Sequence, residues 1–132
     1  MRRIDLITQA CDPKTLTVGQ LMQDALFTCT AQTDALTIGR LMTKQNFGGL
    51  PVVAEDSSLV GLVTEYDLLQ AMIEGRDLRK VFASEIMTTQ PLAARENMTL
   101  EEVANLFQDR YVTRLPVVRG KQLVGIVARR DL

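Results

Sequence analysis

Apolar residues recur at helical spacing in two places along this chain, once in each half. Steps of three and four residues separate them, which is typical of the buried face of an amphipathic helix. Thr33 and Thr99 stand where the N-caps of these helices belong, and Glu102 lies three residues after Thr99, as in a capping box. The pattern predicts two equivalent helices. Their apolar positions are Ala35, Ile38, Leu41 and Met42 in the first half and Leu100, Val103, Leu106 and Phe107 in the second.

Each predicted helix is followed by a continuously apolar run, Leu50–Ala54 or Leu115–Arg119. Runs of this kind, rich in β-branched residues, predict strands buried on both faces. We expect their prolines, Pro51 and Pro116, at a strand start or an unpaired edge, because proline has no N–H to donate. Tight turns then lead into two further apolar runs that predict hairpin partners. These partners are Leu59–Val63 and Leu123–Val127.

Shorter stretches surround these elements. Val18–Met22 and Ala83–Met87 each predict a single apolar turn. Leu26–Thr30 and Leu92–Ala94 predict short extended segments, from their threonines or the preceding proline. A short helix over residues 4–10 is compatible with the mixed polarity of the N-terminal segment.

A second helix is predicted after the first hairpin. Asp67 is expected to cap this helix, Leu68–Glu74, and Gly75 to end it. Arg76–Lys80 then forms a charged linker.

The two halves of the chain are copies of one another. At an offset of 65 residues, Leu50–Val53 matches Leu115–Val118. After a one-residue deletion in a turn the offset becomes 64, and Asp67 matches Asp131. Identities at a fixed offset indicate a tandem duplication. Each repeat predicts the order β-α-β-β-α, and the whole chain predicts a mixed α/β (α+β) fold.

The duplication divides the chain into a lead-in at 1–17, a first repeat at 18–75, a linker at 76–82 and a second repeat at 83–132. A unit of roughly 60 residues buries little surface alone, so we expect the copies to pack face to face about a pseudo-twofold axis. The second repeat stops before its last helix, which we interpret as a shortened chain or a piece of a longer protein. Alternatively, the N-terminal segment fills that place.

Composition narrows the function classes. The hydrophobic fraction is 46%, the charged fraction 23% and the net charge −1, as in an ordinary globular domain without a basic field for nucleic acid. No apolar run approaches the roughly 18 residues that span a bilayer, and the N-terminus does not resemble a signal peptide. We therefore expect a cytoplasmic protein that binds neither membrane nor nucleic acid.

Catalytic and metal-binding patterns are missing from the sequence. There is no histidine, no Gly-x-Ser-x-Gly motif and no Walker-type loop, which argues against an enzyme. Cys11 and Cys29 do not form a Cys-x-x-Cys pattern, so we expect buried thiols rather than metal ligands or a redox pair.

The strongest chemical signal lies where each return strand ends. Gly61–Asp67 and the matching Gly125–Asp131 each place an aspartate where a helix could begin. In the first copy Thr64 adds a hydroxyl three residues earlier. A carboxylate can accept from two ribose hydroxyls at once, and free helix N–H groups can face a phosphate. Such an end is suited to holding a ribose and its phosphate.

The duplicated pattern of a Leu-Pro-Val-Val strand followed by Gly-h-h-Thr-x-x-Asp, where h is apolar, resembles a tandem CBS-domain pair, also called a Bateman module. The resemblance covers roughly residues 18–132. It implies a regulatory module that senses an adenine nucleotide (AMP, ADP or ATP) or a related adenosyl ligand in a cleft between the repeats. No cofactor is required. It also implies a homodimer paired through helices and a regulated partner domain or protein.

The resemblance implies two ligand sites, each joining the aspartate of one repeat to the base-binding edge of the other. Site one would use Thr64, Tyr66, Asp67, Met87, Leu92 and Val112. Site two would use Asp131, Arg130, Arg114, Met22, Leu26 and Phe47.

The two sites differ in hydroxyls and in charge. Ala128 replaces the threonine in site two, whereas Arg114, Arg129 and Arg130 add positive charge there. Arginine suits bidentate contacts to phosphate. We therefore hypothesise that site two prefers a phosphate-rich ligand and site one a less charged ligand.

Each of these residues has a structural alternative. Asp67 could be only a helix cap, Thr64 a turn residue, Phe47 a core residue, and Arg129 with Arg130 a solvated surface. Correspondingly, the whole chain could be a ligand-independent dimerisation or protein-interaction module.

Overall fold

A computed structural model of the chain describes residues 12, 14–24, 27–45, 48–110, 112–129 and 132. Helices and short strands alternate, which confirms the mixed α+β class. The helices are α1 (Val18–Leu21), α2 (Ala35–Gln45), α3 (Glu65–Ile73), α4 (Ala83–Ile86) and α5 (Leu100–Arg110), with a 3₁₀ turn at Leu78–Lys80. The strands are β1 (Gly49–Val53), β2 (Leu59–Thr64), β3 (Thr88–Thr89), β4 (Ala94–Arg95), β5 (Arg114–Arg119) and β6 (Gln122–Ala128).

The strands form two three-stranded sheets, in the orders β1-β2-β3 and β4-β5-β6. Both predicted hairpins are confirmed: β1 pairs antiparallel with β2, and β5 with β6. Equivalent residues occupy equivalent places, since Leu50 faces Val63 and Leu115 faces Val127. The hairpin turns differ in length, but each contains a residue with a positive φ, Ser57 at 69° in the longer turn and Gly120 at 62° in the shorter turn.

The prolines of the two hairpins lie inside their strands. Pro51 lies in the edge strand β1, but this edge is not unpaired as predicted, because the Pro51 carbonyl accepts from the Cys29 N–H on the side away from β2. The edge prediction was wrong for Pro116, because β5 is the central strand of its sheet. It is tolerated there because pairing with β4 begins only at Val117, so no N–H is needed one residue earlier.

The chain divides into two compact units, and each has its own apolar core. Unit 1 comprises Met1–Ala25 with Leu92–Leu132, and unit 2 comprises Leu26–Pro91. The core of unit 1 contains Val18, Ala94, Val103, Phe107, Leu115, Val117 and Val127. The core of unit 2 contains Cys29, Ile38, Met42, Leu50, Val52, Val63 and Ala83.

The boundaries of these units cross the boundaries of the sequence repeats. The helix α4 and the strand β3 open the second repeat, yet they belong to unit 2, where β3 pairs with β2. In the same way, α1 opens the first repeat but belongs to unit 1, and Gln23 bridges to Ile126 of β6. Each unit is therefore built from the hairpin of one repeat and the opening turn of the other.

In each unit, a methionine that follows the opening turn packs against a glycine of the hairpin. A Cβ added to Gly61 would lie 2.4 Å from the Met87 sulfur, and one added to Gly125 would lie 2.5 Å from the Met22 sulfur. No side chain larger than hydrogen fits at these two positions without a shift of the methionine or the strand.

The capping predictions for the two long helices had different outcomes. The capping box of α5 is confirmed, because Thr99 and Glu102 exchange hydrogen bonds between side chain and backbone N–H. Thr33 as the cap of α2 was wrong. Asp34 caps this helix by accepting from the Thr37 N–H at 2.9 Å, whereas the Thr33 hydroxyl accepts from the Thr30 N–H in the preceding turn.

The short extended segments are shorter than predicted. Ala94–Arg95 forms a strand, but Cys29 makes only an isolated bridge to Val52. The buried Cys29 thiol is confirmed, and its burial raises its pKa to about 12. The predicted helix over residues 4–10 and the thiol of Cys11 lie outside the described residues.

Candidate functional site

Strand β2 runs directly into helix α3 at Thr64, and a capping box forms this junction. The Thr64 N–H and hydroxyl donate to Asp67 Oδ2 at 2.8 and 3.0 Å, and the Asp67 N–H donates to Thr64 Oγ1 at 3.3 Å. The two side chains that the sequence placed together are in direct contact. A carboxylate offers about four lone-pair sites, so these bonds leave the second oxygen, Oδ1, available as an acceptor.

The predicted start of this helix was wrong. Thr64 is the N-cap and Asp67 is the third residue of α3, so the helix begins three residues before the predicted Leu68. The threonine takes the cap because its hydroxyl can reach the Asp67 N–H while the carboxylate reaches back, which satisfies two N–H groups at once. Gly75 ends the helix as predicted, at a positive φ of 73°.

The expectation of free N–H groups facing a phosphate at this junction was largely wrong. The Glu65 N–H donates to the Gly48 carbonyl at 3.0 Å, and the Asp67 N–H donates to Thr64. Only the Tyr66 N–H of the first turn remains for a ligand. Because Glu65 and Asp67 also place two carboxylates in this turn, the junction suits a ribose better than a phosphate.

The matching junction in unit 1 follows strand β6. The Arg129 N–H donates to the Thr113 carbonyl at 2.8 Å, just as the Glu65 N–H donates to Gly48. The two junctions therefore share this backbone hydrogen bond, although their side chains differ. Ala128 stands in place of Thr64 and cannot form a capping box.

A pocket opens beside the unit 1 junction. Its volume is about 270 Å³, close to the lower end of the roughly 300–1,000 Å³ of small-molecule sites. Two of the lining residues carry guanidinium groups, so the pocket can attract and hydrogen-bond an anion. The described lining residues are Thr113, Arg114, Ala128 and Arg129.

The remaining predicted site residues lie in both units. In unit 2, Tyr66 is 69% exposed on α3, and Met87 packs against Gly61 of β2. In unit 1, three predicted residues are partly buried against the core, namely Met22, Leu92 and Val112. Four predicted residues lie outside the described part of the chain: Leu26, Phe47, Arg130 and Asp131.

Two pocket residues were missing from the predicted sites. Arg129 was recognised only as a source of charge, and Thr113 was not considered. The signal for both was their position, since they match Glu65 and Gly48 at the offsets of the repeat. Among the described residues, no group of three or more His, Cys, Asp and Glu side chains could hold a metal ion.

Comparison with known proteins identifies the repeats. The family described as CBS domain matches residues 18–74 and again residues 83–132. The chain belongs to the CBS domain family. Its two sheets and helices match solved CBS-domain pairs, which confirms the resemblance seen in the sequence.

Similar proteins include one relative known by sequence and two solved complexes. The CBS domain-containing protein YhcV of Bacillus subtilis is 40% identical over 93 residues, which cover 70% of this chain and 65% of YhcV. The CBS domain pair of MJ0100, solved with 5'-methylthioadenosine and S-adenosyl-L-methionine, has a TM-score of 0.79 at 26% identity, covering 89% and 92% of the two chains. The AMP complex of CBSX2, a CBS-pair protein of Arabidopsis thaliana, has a TM-score of 0.76 at 31% identity, covering 88% and 92%.

No helix among the described residues combines the length and the apolar character needed to cross a membrane.

Proposed function

We propose that this chain is a regulatory module that binds an adenine nucleotide or a related adenosyl compound and passes the state of its ligand sites to a partner domain or protein. The pocket beside the unit 1 junction is the observation that carries this proposal, since it adds two arginines to the strand end that the repeat pattern had marked. The adenosyl ligands of the MJ0100 and CBSX2 complexes support the choice of ligand class.

Each junction offers its own kind of contact to an adenosyl ligand. The Asp67 carboxylate, held in place by Thr64, is suited to accept hydrogen bonds from the two ribose hydroxyls. The Arg114 and Arg129 guanidinium groups are suited to a phosphate. Partly buried apolar side chains such as Met87 and Leu92 are suited to the faces of a purine.

The experiment that tests this function is a thermal melt of the full chain with AMP, ADP, ATP, S-adenosylmethionine and NAD, followed by calorimetric titration. A ligand that binds only the folded chain stabilises it by about 2.7 kcal/mol at 100 times its Kd, so we expect at least one compound to raise the melting temperature by several degrees. An unchanged melting temperature with every compound would exclude the sensor function.

The exposed face of α3 favours a second function, a module that pairs chains without a ligand. Four large apolar side chains lie on this helix, and they are 54–72% exposed. Exposed apolar residues that cluster on one element indicate an interaction surface, and a second copy of this chain would bury both faces at once in a twofold dimer. These side chains are Tyr66, Leu69, Met72 and Ile73.

The pairing function is tested by light scattering after gel filtration, which measures the oligomeric state of the chain. We expect a dimer for the wild-type chain and a monomer for Ile73→Lys, because a charge buried in the interface is left without a partner. Gln108→Lys is the matched control, since it adds the same charge on the exposed side of α5. A dimer whose melting temperature no nucleotide or adenosyl compound changes would favour the pairing function alone.

A further inference from the structure

The two junctions share a backbone hydrogen bond but carry opposite charge. The hydrogen bonds from the Glu65 N–H to Gly48 and from the Arg129 N–H to Thr113 join residues that match at the offsets of the repeat. Among the described residues at matched places, Gly49 and Glu65 of the first copy are replaced by Arg114 and Arg129 in the second. The replacement makes the second junction more positive by three formal charges, although the chain as a whole has a net charge of −1.

Arg129 has no carboxylate partner in the described part of the chain. The ion pairs there join Arg76 to Glu85, Arg79 to Asp77 and Arg119 to Glu96, and none includes Arg129. The Arg129 side chain is exposed at the edge of the pocket. Arginines that stabilise a fold usually face a carboxylate or an aromatic ring.

The loss of the threonine contributes to the same difference. In unit 2, the Thr64 hydroxyl and the Asp67 carboxylate are engaged with each other, and Glu65 adds a second negative charge. In unit 1, Ala128 cannot make these bonds, and the pocket lies at its side chain. The first junction therefore repels an anion, whereas the second leaves space and positive charge for an anion.

We infer that the chain sorts adenosyl ligands by charge: the unit 1 pocket takes the polyphosphate of a nucleotide, and the unit 2 junction takes a neutral or cationic adenosyl compound. This inference rests on the proposed function and adds to it which class of ligand each junction accepts. One chain would then report on two classes of adenosyl metabolite at once.

Charge reversal at matched positions tests the inference on the full chain. Arg129→Glu and Glu65→Arg exchange the charges of the two equivalent positions, and both side chains are exposed, so the cores remain intact. Calorimetric titrations with ATP and with adenosine measure the phosphate and the nucleoside separately. Arg129→Gln removes the charge without reversing it and serves as an intermediate step.

We expect Arg129→Glu to weaken ATP binding at least tenfold, which corresponds to about 1.4 kcal/mol, and to change adenosine binding less than twofold. Arg129→Gln should fall between wild type and Arg129→Glu. Glu65→Arg should allow a second ATP to bind, and high salt should weaken ATP more than adenosine because it screens the charges.

Three outcomes would overturn the inference. Unchanged ATP affinity in Arg129→Glu would place the phosphate elsewhere, and equal losses for ATP and adenosine would indicate a structural role of Arg129. In both of these cases the sensor function survives, because adenosyl ligands still bind the wild-type chain. Failure of both ATP and adenosine to bind the wild-type chain would remove the proposed function together with the inference.

Discussion

Gly61 shows how a single residue controls the assembly of a unit. Its missing side chain leaves room for Met87, which the other repeat supplies. In Gly61→Ala the new Cβ would meet the Met87 sulfur at 2.4 Å and its Cγ at 2.9 Å. We expect a loss of about 1–3 kcal/mol in the free energy of unfolding, as for other overpacked cores, measured by urea denaturation.

A double mutant and a control separate this contact from a general effect of alanine. Adding Met87→Ala should make the cost of Gly61→Ala much smaller, since the clash is removed. Gly39→Ala in α2 is the control, because its Cβ would lie 3.6 Å from the nearest atom, on Leu68, and alanine favours a helix by about 1 kcal/mol. Additive costs for the Gly61 and Met87 substitutions would contradict this account of the contact.

We expect the folded chain to lose stability at high pH because the thiol of Cys29 is buried. Burial removes the hydration of the thiolate and raises the pKa of Cys29 from 9.0 to about 12. Above pH 9 the Cys29 thiol ionises in the unfolded chain, whereas in the folded chain it stays neutral until the pH approaches 12. The contribution of the neutral thiol is therefore complete below pH 9 and is lost as the pH rises from 9 towards 12.

The measurement is the free energy of unfolding between pH 8 and 10.5 for wild type and for Cys29→Ala. We expect the wild-type chain to lose more stability over this range, because the Cys29 thiol is the one ionisable group by which the two proteins differ. Parallel curves would show that the Cys29 thiol ionises as easily in the folded chain as in the unfolded chain.

At the scale of elements, the capping boxes of α3 and α5 offer a comparison within one chain. Thr64 with Asp67 and Thr99 with Glu102 make the same reciprocal bonds. We expect Thr64→Val and Thr99→Val each to cost about 1 kcal/mol of stability, measured by thermal or urea melts. Only Thr64→Val should also weaken adenosine binding, because it frees the Asp67 carboxylate from its fixed orientation. Equal affinity in the two variants would make Thr64 a helix cap and nothing more.

The sequence predicted elements well where side-chain spacing alone decides the structure. The two amphipathic helices and both hairpins carry their signal in periodic apolar residues, and the structure contains them. The cap of α2 was wrong because Thr33 and Asp34 are neighbours that can both cap, and Thr33 is held by Thr30. The strand β3 could not be predicted, since two exposed threonines become a strand only through pairing with β2 of the other repeat.

The sequence predicted the candidate site only in part, namely where the spacing of residues along the chain decides a contact. The contact of Thr64 with Asp67 follows from a spacing of three residues, and the structure contains it. The pocket residue Thr113 has no chemical signature in the sequence beyond its position in the repeat, and only the fold shows that it lies beside Arg129, whose N–H donates to its carbonyl. Local spacing can be read from a sequence, whereas a pocket depends on which strands lie side by side.

At the scale of the whole molecule, the two units predict where the chain can be divided. Leu26–Pro91 is one continuous segment that includes the hairpin β1-β2, the helices α2, α3 and α4, and the strand β3. It therefore carries its own core, including Ala83 of α4. A fragment cut at the repeat boundaries, residues 18–75, would lack α4, β3 and Met87, and its Gly61 surface would be exposed to water.

We expect the fragment 26–91 to unfold cooperatively in urea and the fragment 18–75 to show no cooperative transition, although the two differ by only eight residues in length. Domains of about 60 residues are marginally stable, so the loss of α4, β3 and Met87 is enough to prevent folding. Circular dichroism with urea titration measures both fragments. Met87→Ala in the fragment 26–91 should lower its midpoint, because that side chain covers Gly61. A cooperative transition in 18–75 would mean that a repeat folds without the opening turn of its neighbour, and the exchange of segments between repeats would then contribute little to stability.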